Sequence, residues 1–394
     1  MILKIKYLIV KIWKVFMQIT YFFFKLLKVQ NKITFMSRQT NDKNLDFNLI
    51  IDEIRRRDKH IKLVVLNRRL NPGIKSKVTY FFYMFKQMYH MATSKVIILD
   101  SYAILVSILK QRKETKVIQI WHALGSLKKF GYSILGKKEG RNAVTAQIMD
   151  MHKNNDIILT SSEISKQYFM EAFNVTEDKM VVLGLPRIDF LQSEEAKEEV
   201  NERFFRLYPE ANNNKENILY VPTDRKNKRV NVNNVIKGVN YKRYNLIVKT
   251  HSGKEIVVID GKKIVKGIYF LGLELLHVAD YIITDYSAIV YEASLVNKPI
   301  YFYAYDYKDY MKNRGVYIDY KKEMPGFISK DIKKILTAID KKEWKPDKVK
   351  RFANKYIEKR FENVTSSIVD LIQEQMGQKI NSDRLIKEKQ IAYK

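Results

Sequence analysis

Ile118-Gln-Ile-Trp-His122-Ala-Leu-Gly125-Ser-Leu-Lys128-Lys129-Phe-Gly131 runs from an apolar strand pattern into a Trp-His pair, a small-residue turn and two lysines. Ligands of open α/β sheets bind outside the carboxyl ends of the strands. A His at a strand end, followed by a glycine turn and paired cations, is therefore placed to meet an anionic substrate. A packed Trp with a solvated basic loop uses the same residue types, so the rest of the chain has to decide between the two.

Working outward, β-rich runs at 33–36, 61–66, 96–99, 117–120, 157–160 and 180–183 alternate with helical patterns, notably 76–91 and 162–173. That alternation is the signature of a parallel sheet covered on both faces. An Asn-rich polar stretch, 208–215, interrupts it and marks the expected domain boundary. A second series follows at 218–221, 246–249, 267–270, 281–284 and 300–303, with helical patterns at 329–340 and 347–375. The expected organisation is α/β: a first doubly wound, Rossmann-like domain over 29–212, a second over 213–375, an amino-terminal segment 1–28 and a charged, frayed tail 376–394.

Composition narrows the partners. The 394 residues suit two domains, and 46% apolar content excludes general disorder. The absence of cysteine excludes disulfides and thiolate metal sites, which suits a cytosolic location. Seventy-two Lys and Arg against 43 Asp and Glu give a formal charge of +29, so anionic partners are expected: nucleic acid, acidic lipid or phosphate-rich substrates. No helix-turn-helix, zinc finger or aromatic RNA-binding signature is present, so no nucleic acid is expected. Without a P-loop, paired catalytic carboxylates, a nucleophile elbow or an Asp-x-Asp motif, no metal and no cofactor is expected either.

In 1–28, Lys4, Lys11, Lys14, Gln18, Lys25 and Lys28 fall within about a third of a helical circumference, Lys6 alone departs from the stripe, and the rest is mainly apolar. The apolar run is broken too often for a spanning helix, and no small-residue cleavage site follows it. The expectation is an interfacial helix on an anionic membrane with its lysines at the headgroups. A helix packed on the catalytic domain fits the same pattern.

The opening segment has ordered companions: Tyr220-Val-Pro-Thr-Asp-Arg225, Lys249-Thr-His251-Ser-Gly253, Asp280-Tyr-Ile-Ile-Thr-Asp285-Tyr-Ser287, Pro299-Ile-Tyr-Phe-Tyr-Ala-Tyr-Asp306, Arg314-Gly315 and Met324-Pro-Gly326. In order and spacing these resemble the CDP-glycerol glycerophosphotransferases, the teichoic acid primases and polymerases of Gram-positive bacteria. The resemblance spans roughly residues 90 to 370. It implies the glycosyltransferase-B arrangement of two domains facing a cleft. The implied activity is transfer of glycerol phosphate from CDP-glycerol to a lipid-linked teichoic acid or capsule precursor at the cytoplasmic face of the membrane. Transfer from CDP-ribitol and a nucleotide-sugar glycosyltransferase of the same fold remain alternatives. So does a basic membrane or nucleic-acid binding protein that has kept the fold.

The resemblance implies a general base at His122, since an acceptor hydroxyl attacking phosphorus must lose its proton. Here the family's Trp-His-Gly-Thr-Pro reads Trp-His-Ala-Leu-Gly. His251, with Lys249, is expected to stabilise the diphosphate as CMP leaves. Thr284 and Ser287 are expected to add hydroxyl donors at a strand-to-helix turn, with Asp285 capping or orienting rather than binding metal. Glu292 matches a position where the fold often carries a ribose-binding acid. Arg225 and Arg314 fit donor-contacting positions, and Lys128 and Lys129 face the expected anion. In Gly184-Leu-Pro-Arg187-Ile-Asp189, Gly and Pro are expected to shape the turn and Arg187 and Asp189 to start a helix, mainly in a hinge or structural role.

Overall fold

The computed structural model describes residues 2–41, 44–71, 73–223, 232–250, 264–358 and 362–378. Two six-stranded sheets, parallel throughout, form its two layers of core. The first comprises β1 (Lys32–Ser37), β2 (Lys62–Asn67), β3 (Val96–Leu99), β4 (Lys116–Gln119), β5 (Ile157–Thr160) and β6 (Met180–Val182), in the order β2-β1-β3-β4-β5-β6. The second comprises β7 (Glu216–Tyr220), β8 (Tyr244–Val248), β9 (Ile264–Lys266), β10 (Tyr281–Thr284), β11 (Ile300–Tyr303) and β12 (Phe327–Ser329), in the order β12-β11-β10-β7-β8-β9. β3, Val-Ile-Ile-Leu, and β11, Ile-Tyr-Phe-Tyr, are buried at every residue, as strands covered on both faces must be. Strand order reverses between β1 and β3 and again between β7 and β10, and these two switch points position the site.

The strand expected at 267–270 is instead a 3₁₀ turn, Gly267–Tyr269, and the edge strand β9 precedes it. Gly267 sits so close to Leu275 that an added Cβ would lie 2.6 Å from the Leu275 side chain. β12, at the other edge, has only three residues and carries no periodic signal.

The single helical stretch expected at 347–375 is two helices, Pro346–Tyr356 and Val364–Gln375. The second begins where the Asp189 carboxylate accepts the Val364 and Thr365 amides at 2.9 and 2.7 Å. It then packs on α2 (Leu45–Arg57), where Arg57 pairs with Asp370. Residues 364–375 therefore lie against the first sheet's helices.

The amino-terminal segment forms α1 (Ile2–Phe24), which packs beside α3 (Ile74–Ala92). Part of its polar stripe meets the protein, where the expectation had all of it at lipid headgroups. Lys14 donates to the Ile148 carbonyl at 2.9 Å and pairs with Asp150, Gln18 donates to the Ile108 carbonyl at 3.0 Å, and Met17 and Tyr21 are buried. The outward face is apolar: Leu8, Ile9, Ile12, Ile19, Phe22 and Phe23 are all more than half exposed, and α3 adds exposed Ile74 and Phe82. Lys4, Lys11 and Lys28 remain exposed at its margins. Among the described residues, α1 is the one helix long and apolar enough to cross a membrane, but it lies along the fold.

Candidate active site

Asp100 follows β3, and its backbone carbonyl accepts a hydrogen bond from His122 Nδ1 at 2.8 Å. A carbonyl can only accept, so Nδ1 carries the proton, and in the neutral ring the lone pair sits on Nε2. The Asp100 carboxylate takes the Ser37 hydroxyl at 2.6 Å and the Asn44 amide at 2.7 Å, and burial pushes its pKa up to about 6.

His122 stands just beyond β4 on a constrained turn. Trp121 has φ of 62°, an uncommon conformation for a bulky residue, and its amide is held by Gln119 Oε1 at 3.0 Å. The Trp121 ring stacks on Phe130 at 4.7 Å and lies 4.2 Å from the His122 ring. Gly125 follows in the same turn. An added Cβ would stand 2.7 Å from the ring of Tyr291, which is fully buried on the helix Ile289–Leu295, so the second lobe presses on the turn where a side chain would be.

The two lobes enclose a cleft of about 1270 Å³. Trp121, His122, Lys128 and Arg187 line it from the first lobe, and Thr223, Lys249, Ser287, Glu292 and Arg314 from the second. Burial lowers the Lys249 pKa, with Glu274 opposing the shift. Arg314 Nη1 lies 3.3 Å from Glu139. Lys128 forms an antiparallel bridge with Val316, and the Lys129 amide donates to the Gly315 carbonyl at 3.2 Å, so this strand-like segment joins the lobes.

Two expected site residues, Lys129 and Thr284, point elsewhere. Lys129 is not at the cleft wall; its ammonium lies 3.9 Å from Glu171 and over the Tyr317 ring. Thr284 is buried at the end of β10 and donates its hydroxyl to the Val221 carbonyl at 2.8 Å, which removes it from the anion-facing side. Asp285, also buried, accepts the amides of Thr223 at 2.8 Å and Tyr286 at 2.6 Å and so holds the loop after β7. Arg225 and His251 lie outside the described residues. Among the described residues no three His, Asp or Glu side chains cluster as metal ligands.

Arg187 links the two lobes at the cleft. It is buried between two carboxylates, with Asp46 taking its amide at 3.0 Å and its Nη2 at 2.5 Å, and Glu292 taking Nη1 at 2.8 Å. Nη1 also donates to the His122 carbonyl at 3.0 Å. Burial alone would lower the Arg187 pKa, but the two carboxylates outweigh it and hold the guanidinium firmly charged. Burial raises the Glu292 pKa. Asp46 carried no signal in the sequence; the Pro-Arg-x-Asp pattern was the only pointer to its partner.

A family profile described as CDP-Glycerol:Poly(glycerophosphate) glycerophosphotransferase matches residues 18–374. The chain is 29% identical over 365 residues to the teichoic acid ribitol-phosphate primase of Bacillus spizizenii, covering 88% of this chain and 92% of that one. It is 28% identical over 392 residues to the teichoic acid glycerol-phosphate primase of Bacillus subtilis, covering 94% and 99%. The solved structure of the wall teichoic acid polymerase TagF superposes with a TM-score of 0.72 at 18% identity, covering 96% of this chain and 98% of that one, a likeness of fold. The chain therefore belongs to the CDP-glycerol:poly(glycerophosphate) glycerophosphotransferase family.

Proposed function

We propose that the protein transfers a polyol phosphate from CDP-glycerol or CDP-ribitol to a lipid-linked teichoic acid or capsule precursor, releasing CMP. The observation that carries this reading is His122, with Nδ1 committed to the Asp100 carbonyl, at the wall of a cleft whose opposite side offers Lys249, Ser287 and Arg314. In the step, an acceptor hydroxyl oxygen attacks the phosphorus that bears the polyol. The bond from that phosphorus to the bridging oxygen breaks, CMP departs with the electron pair, and His122 Nε2 takes the hydroxyl proton. Lys249 and Arg314 offset the negative charge gathered on the diphosphate, and Ser287 offers it a hydroxyl donor.

Two parallel sheets meeting at a cleft support the glycosyltransferase-B arrangement, with the acceptor entering on the His122 side and the donor on the β7–β12 side. The relatives act on ribitol phosphate and on glycerol phosphate at similar identity, so both donors stand. Parallel incubation with CDP-glycerol and CDP-ribitol, scoring CMP release with a lipid-linked acceptor, identifies the donor. Release from neither overturns the reading.

The protein is further read as a peripheral membrane enzyme of the cytoplasmic leaflet. The bare apolar face of α1 with Lys4, Lys11 and Lys28 at its margins supports a helix sunk to the headgroup boundary of an anionic bilayer. Its attachment then depends on apolar burial more than on the lysines.

A further inference from the structure

The turn that carries His122 is tied to the donor-side lobe through one guanidinium. Arg187 Nη1 donates both to the His122 carbonyl, at 3.0 Å, and to Glu292 Oε1, at 2.8 Å, and Glu292 sits on the second-lobe helix Ile289–Leu295. On its other side Arg187 is clamped by Asp46, which stands in the first turn of α2 and takes the backbone amide as well as the guanidinium. All three side chains are at least nine-tenths buried.

A buried trio of one cation and two carboxylates is a poor way to gain stability, because desolvating the charges offsets most of their attraction and well-packed apolar residues commonly do as well. Its geometry offers what apolar packing cannot: a directional bond to one main-chain oxygen. That oxygen belongs to a turn that needs external ties. The preceding Trp121 is held at φ of 62°, and such a conformation persists in a bulky residue only where the surroundings over-determine it. The second tie is steric, where Gly125 abuts the Tyr291 ring on the same helix as Glu292.

We propose that Arg187 is a positioning residue for the reaction: it sets the His122 turn relative to the donor-side helix, and Asp46 keeps it in the one orientation that reaches both. This rests on the reading of His122 as the base. Asp46 lies away from the cleft wall, so it reports on positioning without touching substrate.

The test is a double-mutant cycle between Asp46→Asn and His122→Ala, read as CMP release at saturating donor and acceptor, with CDP-polyol affinity measured separately. In the parent, Asp46→Asn is expected to lower kcat about 10-fold with donor affinity within about 2-fold, since small misplacement of a reacting group costs rate more than binding. In the His122→Ala background the same change is expected to cost less than about 2-fold, because no base remains to be misplaced. Arg187→Lys, which keeps the charge but not the forked donors, is expected to repeat the pattern. An equal loss in both backgrounds overturns the proposal, as does a loss confined to donor affinity. So does unchanged turnover per folded molecule in variants that only melt earlier. If His122→Ala itself leaves turnover intact, it is the reading of His122 that fails.

Discussion

His122 is oriented by the main chain of Asp100, through a 2.8 Å bond from Nδ1 to the backbone carbonyl. The imidazole thus gains a defined tautomer. The Asp100 side chain is turned to Ser37 and Asn44, where it braces the loops after β1.

Asp100→Asn should therefore leave turnover within a few-fold while changing how stability depends on pH. The folded-state pKa of Asp100 is raised to about 6 from 3.8, so the folded protein holds this proton more tightly than the unfolded chain. That contribution is fully present below about pH 4 and is lost as pH rises through about 6, an effect of up to about 3 kcal/mol. Relative to wild type, the Asn variant should gain stability between pH 4.5 and pH 7.5, read by denaturant unfolding at both values. A difference that stays constant with pH would contradict the assignment.

Thr284 and Ser287 separate a structural hydroxyl from one that meets ligand. Thr284→Val removes the bond to the Val221 carbonyl and should cost about 1 kcal/mol or somewhat more of stability, with donor affinity nearly unchanged. Ser287→Ala should leave stability within about 0.5 kcal/mol and weaken CDP-polyol binding about 3- to 30-fold. Calorimetric donor titrations and thermal melts of the two variants check both halves.

The membrane reading is tested by which face of α1 matters. Replacing Ile9, Ile12, Ile19 and Phe23 together with Ser removes apolar surface worth about 1 to 2 kcal/mol per side chain. Sedimentation with anionic vesicles should fall at least 100-fold, while the protein stays folded. Lys14→Gln should instead lower the melting temperature and leave vesicle binding within about 3-fold, because Lys14 is spent on Asp150 and the Ile148 carbonyl. Strong binding by the Ser variant would point to the lysines and overturn this geometry.

What the sequence could and could not convey follows from the kind of signal involved. Strands such as Val96–Leu99 and Ile300–Tyr303 were legible because burial on both faces demands an unbroken β-rich run, and their alternation with helices implied parallel sheets. In α1 the periodicity sorted residues onto faces, but which face met the protein depended on the Ile108 and Ile148 carbonyls, contributed by distant loops. Thr284 and Ser287 share one motif, and only the fold decides which hydroxyl is turned inward. The Asp46–Arg187 contact links positions 141 residues apart and has no local pattern at all.

The central claim is that His122 removes the acceptor proton as polyol phosphate moves from a CDP carrier. The direct measurement is CMP release by His122→Ala beside the wild-type protein at saturating CDP-polyol and lipid-linked acceptor, with donor affinity determined independently. Loss of a general base predicts turnover lower by about 10² to 10⁴ with donor affinity within about 3-fold of wild type. Turnover close to wild type, or a loss accounted for by weakened donor binding alone, would contradict it.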